Sequence, residues 1–195
     1  LWAGEGDLPT PAFISDAAAR GLANGETFYT WQKGIPDLRQ ALARYYDRHF
    51  GKRFAEEEFI VTASGMHAIQ LAIDAVAGSG DEVVYLSPAW PNFAAAAGVA
   101  GAVPVPVVLD QSGNGWSCDV EKIAAAITSR TKVLFVNTPS NPPGWTADQE
   151  TLQAILDLAR KKGLWIIADE IYSHFHYGSG RAPSFLDIAT GEDRI

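Results

Sequence analysis

The nine residues LWIIADEIY, at positions 164–172, decide the fold of this chain. They form a short apolar run that ends at acidic residues, which is typical of a buried parallel strand. Gly163 precedes the run and indicates the end of a helix, so the local order is helix, turn, strand. Ligands of open α/β sheets bind outside the carboxyl ends of the strands. We therefore expect Asp169, with Tyr172 three residues later, at a ligand-binding edge.

The same alternation of helix, turn and strand is predicted over most of the chain. Short apolar runs predict four further strands, at residues 59–63, 82–86, 102–109 and 132–137. Helical spacing predicts helices at residues 13–24, 36–50, 67–77, 90–100, 119–127 and 146–162. Strands that alternate with helices predict an α/β fold, with a mostly parallel sheet and helices on both faces in three layers, α/β/α.

Three local features refine this prediction. Residues 67–77 are apolar nearly all round, which predicts a helix buried between layers. Thr146 and Gln149 fit a capping box at the start of the last helix. Residues 110–116 are rich in Gly, Ser and Asn and predict a turn.

Composition excludes several classes of function. The chain has 195 residues, of which 47% are hydrophobic and 19% charged, so we expect a soluble globular protein. Its net charge of −8 argues against nucleic acid as a partner, because phosphate backbones need clustered Lys and Arg. No apolar stretch is long enough for a membrane span. The single cysteine, Cys118, permits no internal disulfide and predicts a reducing, cytoplasmic location.

An anion site is one interpretation of the turn at Ser64, Gly65 and Met66. This turn lies between a predicted strand and a predicted helix, and the first N–H groups of a helix are free to bind an anion. Gly65 permits close approach of a ligand, and Ser64 adds a hydroxyl. The alternative interpretation is an ordinary connection between strand and helix.

Polar and aromatic residues follow three of the other predicted strands. Trp90 lies between two prolines, where its ring can stack on a planar ligand or pack under a loop. Asn141 lies in the rigid turn NTPSNPPG, residues 137–144, and its amide can donate to a phenolate or a carboxylate. The Asp169 carboxylate suits the protonated nitrogen of a pyridine ring, and Tyr172 suits the ring's 3-hydroxyl. Alternatively, Asp169 caps a neighbouring loop.

Four motifs in order give the chain a family resemblance. The turn at 137–144 resembles the signature N-x-P-x-N-P-T-G, and ADEIY at 168–172 resembles D-E-x-Y. YTWQKGIPDLR at 29–39 resembles Y-x-x-x-x-G-x-x-x-L-R, and GEGDLPTP at 4–11 resembles G-E-P-D-x-x-x-P. The chain thus resembles the large domain of the fold type I pyridoxal-phosphate enzymes, specifically the class I/II aminotransferases.

The resemblance implies a role for each candidate residue. Ser64, Gly65 and Met66 would hold the phosphate of pyridoxal 5'-phosphate, and no metal is implied. Trp90 would stack on the pyridine ring of the cofactor. Asn141 and Tyr172 would bind the 3-oxygen of that ring, and Asp169 would pair with the ring nitrogen.

The resemblance also implies a homodimer and two further contacts. Tyr29 would reach the cofactor phosphate of a partner subunit, and Gly4 would lie near the substrate carboxylate. Residues 1–50 would form an N-terminal segment and dimer-contact region, and residues 51–195 the cofactor-binding large domain. It further implies cis peptide bonds before Pro142 and Pro88.

One element of the family pattern is missing. The Schiff-base lysine of the family lies after Asp169 in an S-x-x-K context, which these residues do not contain. We therefore expect a fragment that is truncated before the last strands of its large domain, has no catalytic residue and is inactive by itself. The parent is expected to transfer amino groups between amino acids and 2-oxo acids. A carbon–sulfur lyase and the ligand-sensing domain of a transcription regulator are the alternatives.

Overall fold

A computed structural model describes residues 6–113, 115–178 and 180–195. The helices of this part of the chain are α1 (Ala12–Ala23), α2 (Pro36–Phe50), α3 (Gly65–Val76), α4 (Pro91–Val99), α5 (Val120–Ala126) and α6 (Gln149–Lys162). The strands are β1 (Glu82–Ser87), β2 (Val103–Val108), β3 (Asp110–Ser112), β4 (Gly115–Ser117), β5 (Thr131–Asn137) and β6 (Trp165–Asp169). Short 3-10 turns lie at Glu56–Glu58 and Phe185–Asp187. None of the described helices is long and apolar enough to cross a membrane.

The main sheet has four parallel strands in the order β2-β1-β5-β6, which confirms the predicted parallel sheet. From β1 the chain first adds β2 on one side and then returns to place β5 on the other side of β1. The direction of winding therefore reverses between β1 and β5. Open α/β sheets bind ligands outside the carboxyl ends of the strands at such a reversal.

Helices cover both faces of the sheet, which confirms the three-layer arrangement. Side chains of α3 and α4 pack with Val83, Val133 and Phe135 on one face. Side chains of α5 and α6 pack on the other face, where Val84 and Leu134 are among the strand residues. Neighbouring residues of a strand point to opposite faces, so each buried strand contributes to both cores and must be apolar throughout.

Strand β2 is the outermost strand on its side of the described sheet and pairs with β1. It contains Pro104 and Pro106, which lack a backbone N–H and are tolerated at an edge. The odd-numbered residues carry the pairing, since the N–H of Val103 donates to the carbonyl of Asp81 at 2.8 Å.

The strand predicted at residues 59–63 is wrong. This segment is irregular, and its backbone bonds reach back along the chain: the N–H of Val61 donates to the carbonyl of Lys33 at 2.9 Å, and that of Phe59 to Glu56 at 3.3 Å. Its apolar character has another cause, because the ring of Phe59 packs against Tyr46 at 5.6 Å and Phe54 at 5.8 Å. The segment supports α2 rather than the sheet.

Three smaller predictions also need correction. Helix α3 is buried only along the face that carries Ile69 and Ile73, while Leu71 is 45% exposed. Helix α6 is capped by Asp148 and not by a box at Thr146, since Asp148 Oδ1 accepts the N–H of Thr151 at 2.8 Å. The turn predicted at residues 110–116 belongs to a short antiparallel hairpin of β3 and β4.

Gly163 ends α6 as predicted. Its φ of 68° lies in the left-handed region, which glycine adopts without strain, and its N–H bonds the carbonyl of Arg160 at 3.2 Å. The chain then enters β6 directly, so this turn sets the start of the strand that delivers Asp169.

A buried carboxylate secures the amino ends of β1 and β5. Glu82 accepts hydrogen bonds from the hydroxyls of Thr128 at 2.5 Å and Thr131 at 3.1 Å, and it pairs with Arg130. These contacts, that of Thr128 foremost, hold the pKa of Glu82 below its usual range. The network lies at the opposite end of the sheet from the candidate site.

Candidate active site

The carboxyl ends of β5 and β6 are joined through Asn137. Asn137 and Asp169 are register partners on the two strands. The side-chain amide of Asn137 donates to the carbonyl of Asp169 at 3.0 Å, and the N–H of Thr138 donates to the same oxygen at 3.1 Å. Two donors on one carbonyl fix where β6 ends and therefore where the Asp169 side chain begins.

The turn after β5 is fixed from several sides. Asn137 Oδ1 accepts the N–H of Asn141 at 2.9 Å, and the buried hydroxyl of Thr138 accepts the N–H of Ala147 at 2.9 Å. The N–H of Ser140 donates to the carbonyl of Trp145 at 2.9 Å. These bonds hold Asn141 at the end of β5, next to β6.

Three peptide bonds of the described chain are cis: Ser87–Pro88, Thr138–Pro139 and Asn141–Pro142. The predicted cis bonds before Pro88 and Pro142 are thereby confirmed. The third, before Pro139, was not predicted.

Asp169 is a half-buried carboxylate without a cation. Its Oδ1 accepts the N–H of Ile171 at 3.2 Å, which is a local turn, and no Lys, Arg or His of the described residues pairs with it. Burial raises the pKa of Asp169, and the hydrogen bond from Ile171 opposes this effect. A carboxylate in such surroundings gains from a positively charged ligand.

Tyr172 faces the amide of Asn141. The distance from Asn141 Nδ2 to the Tyr172 hydroxyl is 3.5 Å, which is a long hydrogen bond. The structure therefore brings together Asn141 and Tyr172 from two loops at the end from which Asp169 also projects. An amide and a phenol so placed can bind one oxygen atom between them.

The start of α3 has free backbone donors. Ser64 caps the helix by accepting the N–H of His67 at 3.2 Å, and its own hydroxyl proton stays available. The N–H groups of Gly65 and Met66 have no acceptor among the described residues. Helix α3 packs against β6, the strand that ends at Asp169.

Trp90 immediately precedes α4, at the end of the loop after β1. Its residue surface is 37% exposed. The same helix is anchored by Phe93, whose ring stacks on Phe135 of β5 at 3.6 Å between centroids. Trp90 is therefore held beyond the carboxyl end of β1, with part of its surface open to a ligand.

Two predicted residues lie apart from this arrangement. Tyr29 lies in the loop between α1 and α2 and is fully exposed. Gly4 lies outside the described residues. Their roles stay predictions, as do the ligand contacts of Ser64, Gly65 and Met66 and of the strand-end residues.

Two residues that hold the site were not identified as such from the sequence. Asn137 was the first residue of the N-x-P-x-N spacing, and that spacing was the available signal. Glu170 follows Asp169, and its carboxylate binds Ser184 and Phe185. No pattern within residues 164–172 indicates that partner, because it comes from a segment fourteen residues further on.

The fold and the site define an α/β protein that presents a carboxylate, an amide and a phenol at the carboxyl ends of parallel strands. The family model described as "Aminotransferase class I and II" matches residues 2–195. The chain belongs to this aminotransferase family.

Individual relatives support this family assignment. The aspartate/prephenate aminotransferase of Thermus thermophilus is 41% identical over 186 residues, which cover 93% of this chain and 48% of that protein. The structure is similar to that of an aspartate aminotransferase from Thermotoga maritima, with a TM-score of 0.92, 32% identity and coverage of 98% and 51%. An aromatic aminotransferase from Pyrococcus horikoshii gives a TM-score of 0.90, 29% identity and coverage of 96% and 50%. The chain thus spans about half the length of these relatives.

Proposed function

We propose that the full-length protein is a pyridoxal-phosphate-dependent aminotransferase that moves an amino group from an amino acid to a 2-oxo acid. One observation carries the proposal. Asp169 is a half-buried carboxylate that lacks a cation among the described residues, and Asn137 joins its strand end to Asn141 of the Asn141–Tyr172 pair. A pyridinium N–H supplies the missing positive charge, and its 3-oxygen suits the amide and the phenol.

The residues of the site fit this cofactor. When bound, pyridoxal phosphate supplies a ring that withdraws electrons from the Cα of an attached substrate. Asp169 would hold a proton on the ring nitrogen, which increases that withdrawal. Asn141 and Tyr172 would donate hydrogen bonds to the 3-oxygen and so orient the ring. Trp90 would cover one face of the ring.

The amino end of α3 fits the phosphate. The free N–H groups of Gly65 and Met66 and the hydroxyl of Ser64 would donate to its oxygens. The positive end of the helix dipole favours the same anion.

Substrates, assembly and location are part of the proposal. Two of the relatives are named for aspartate, so aspartate is the amino donor to test first. We propose a homodimer in which Tyr29 reaches the partner's cofactor phosphate, because exposed aromatic side chains surround it: Phe28 is 89% and Trp31 66% exposed. Residues 1–50 would be the dimer-contact region and residues 51–195 the cofactor-binding domain. The lone Cys118 supports a cytoplasmic location.

The test uses the full-length protein with pyridoxal phosphate, aspartate and 2-oxoglutarate. We expect formation of glutamate, and a fall of at least about 100-fold in kcat/KM for Asp169→Ala, because the electron-withdrawing form of the ring is lost. Release of ammonia and a thiol from a sulfur amino acid without any 2-oxo acid would identify a lyase instead. Cofactor binding without turnover of any amino acid would favour a ligand-sensing domain. Near-wild-type turnover in Asp169→Ala would contradict the role of Asp169.

A further inference from the structure

Glu170 lies between Asp169 and Tyr172 in sequence, but its side chain binds a different part of the chain. Its Oε2 accepts the hydroxyl of Ser184 at 2.5 Å, and its Oε1 accepts the N–H of Phe185 at 2.8 Å. Both oxygens act as acceptors, so the group functions as a carboxylate. None of the proposed cofactor contacts uses this buried charge.

The partners of Glu170 are rigid. Phe185 is 1% exposed and belongs to the core beneath α6, and Ser184 is equally buried. Ser184 also caps the short helical turn at Phe185–Asp187, and Asp187 pairs with Arg181. Glu170 is thus attached to a fixed point of the core rather than to a mobile loop.

The backbone around Glu170 forms the turn that carries Tyr172. The carbonyl of Glu170 accepts the N–H of Ser173 at 3.0 Å, which closes a turn with Tyr172 inside it. The carbonyl of Ser173 accepts the N–H of Ala182 at 2.8 Å. The side chain of Glu170 therefore anchors the start of the turn, and the carbonyl of Ser173 anchors its end.

The Tyr172 ring has little other support. Among the described residues its ring contact is with Phe175 at 5.8 Å, and Phe175 is itself 76% exposed. Its hydrogen bond to Asn141 is long, at 3.5 Å. The orientation of the phenol thus depends on the backbone turn, which is anchored by the side chain of Glu170 at one end and by the Ser173–Ala182 hydrogen bond at the other.

We infer that Glu170 is a positioning residue that orients Tyr172 toward the cofactor through its hydrogen bonds to Ser184 and Phe185. The inference rests on the proposed function for its consequence in catalysis, but the orientation itself is a property of this chain alone. Burial raises the pKa of Glu170, and the hydrogen bonds from Ser184 and Phe185 oppose that effect. The two hydrogen bonds therefore offset part of the cost of burying the charge.

The first experiment examines the full-length protein without cofactor. Tyrosines are labelled with 3-fluorotyrosine, and the Tyr172 signal is assigned by its loss in Tyr172→Phe. We expect Glu170→Gln to shift or broaden the Tyr172 ¹⁹F signal, because glutamine cannot accept both hydrogen bonds. The matched control is Glu82→Gln, the same change at a buried carboxylate at the other end of the sheet. It should lower stability but leave the Tyr172 signal in place.

Cofactor binding gives the second readout. We expect the dissociation constant for pyridoxal phosphate to rise about ten-fold in Glu170→Gln and to stay unchanged in Glu82→Gln. The double variant Glu170→Gln/Tyr172→Phe should bind no more weakly than Tyr172→Phe alone, because Glu170 acts through Tyr172. An unmoved Tyr172 signal, or additive losses in the double variant, would overturn the inference.

A second variant, Ser184→Ala, tests the inference if Glu170→Gln does not fold. Ser184→Ala removes one of the two hydrogen bonds and should shift the Tyr172 signal in the same direction by a smaller amount; an unmoved signal there would also overturn the inference. The outcomes separate the inference from the proposed function. A protein that binds no pyridoxal phosphate but shows the ¹⁹F shift refutes the proposed function and supports the positioning role.

Discussion

Asn137 ends β5 directly beside Asp169, which ends β6, and the side chain of the first holds the backbone of the second at 3.0 Å. The other end of the same amide accepts the N–H of Asn141 at 2.9 Å. One asparagine thus joins the strand that carries the carboxylate to the loop that carries the amide donor. This side chain therefore links the positions of Asp169 and Asn141 directly, beside the backbone bond from Thr138 to the carbonyl of Asp169.

Asn137→Ala should therefore affect both stability and binding. We expect a loss of about 1–3 kcal/mol in the free energy of unfolding, because the carbonyl of Asp169 loses one of its two donors and the N–H of Asn141 loses its acceptor. Pyridoxal phosphate should bind more weakly to the full-length protein. Urea unfolding and cofactor titration measure the two effects. The control is Asn92→Ala on the exposed part of α4, which should stay within about 0.5 kcal/mol of the unaltered protein. Equal stability of the two variants would contradict the role of Asn137.

Asp169→Asn should stabilise the cofactor-free protein at neutral pH. Burial raises the pKa of Asp169, so the folded state holds the proton more tightly than the unfolded state does. Stability is therefore lost as the pH rises from the pKa of an ordinary aspartate through the raised pKa of the folded state. Asparagine carries no charge and avoids this loss. We expect a gain of a few tenths to about 1 kcal/mol near pH 7–8 that disappears toward about pH 4.

The same variant should bind pyridoxal phosphate more weakly, because it cannot pair with the ring nitrogen. Thermal unfolding across pH, without and with cofactor, measures both effects. A gain that grows on acidification would contradict the assigned cause of the pKa shift.

Asn141 and Tyr172 should be weakly coupled until the cofactor binds. At 3.5 Å their direct hydrogen bond is long, so a double-mutant cycle with Asn141→Ala and Tyr172→Phe should give less than about 0.5 kcal/mol of coupling in the cofactor-free protein. With pyridoxal phosphate bound, both groups would contact one oxygen, and the coupling should increase. A coupling that is the same in both states would argue against a shared ligand atom.

Phe93 should be among the most sensitive core positions. It is 1% exposed and stacks on Phe135 at 3.6 Å, so Phe93→Ala should cost about 3–5 kcal/mol through lost burial and a residual cavity. Val99→Ala in the same helix is the control, because Val99 is 79% exposed and should change stability by less than about 0.5 kcal/mol. Urea midpoints of the two variants test this directly. Similar losses in both would mean that α4 packs through another face.

The parallel sheet and the residues at its strand ends could be predicted from the sequence. Buried parallel strands are apolar on both faces, and each ends where polar residues begin in the sequence. The runs that gave β1, β5 and β6 had this character. The run at residues 59–63 had it too, but its side chains pack on α2, and apolar character alone does not distinguish these two environments. Asp148 rather than Thr146 caps α6 because the helix begins at Gln149, where the Asp148 carboxylate accepts the free N–H of Thr151.

The candidate site was predictable only as far as local sequence reaches. Asp169, Tyr172 and Asn141 follow strand ends, so parallel topology alone brings them to one edge. The side chains that hold them act over long separations. Asn137 and Asp169 are 32 residues apart, and Glu170 and Phe185 are 15 apart. Such pairs depend on strand register and on the packing of the core, which no short pattern specifies.

The alternation of prolines in β2 has a consequence for the protein in concentrated solution. The N–H groups of the odd-numbered residues bond inward to β1, so the ring nitrogens at Pro104 and Pro106 point outward, where a further strand would seek donors. A second molecule cannot complete a regular ladder along that border, because Pro104 and Pro106 lack two of the donors that it needs. Along this border of the described sheet, the two prolines therefore oppose edge-to-edge pairing with another molecule.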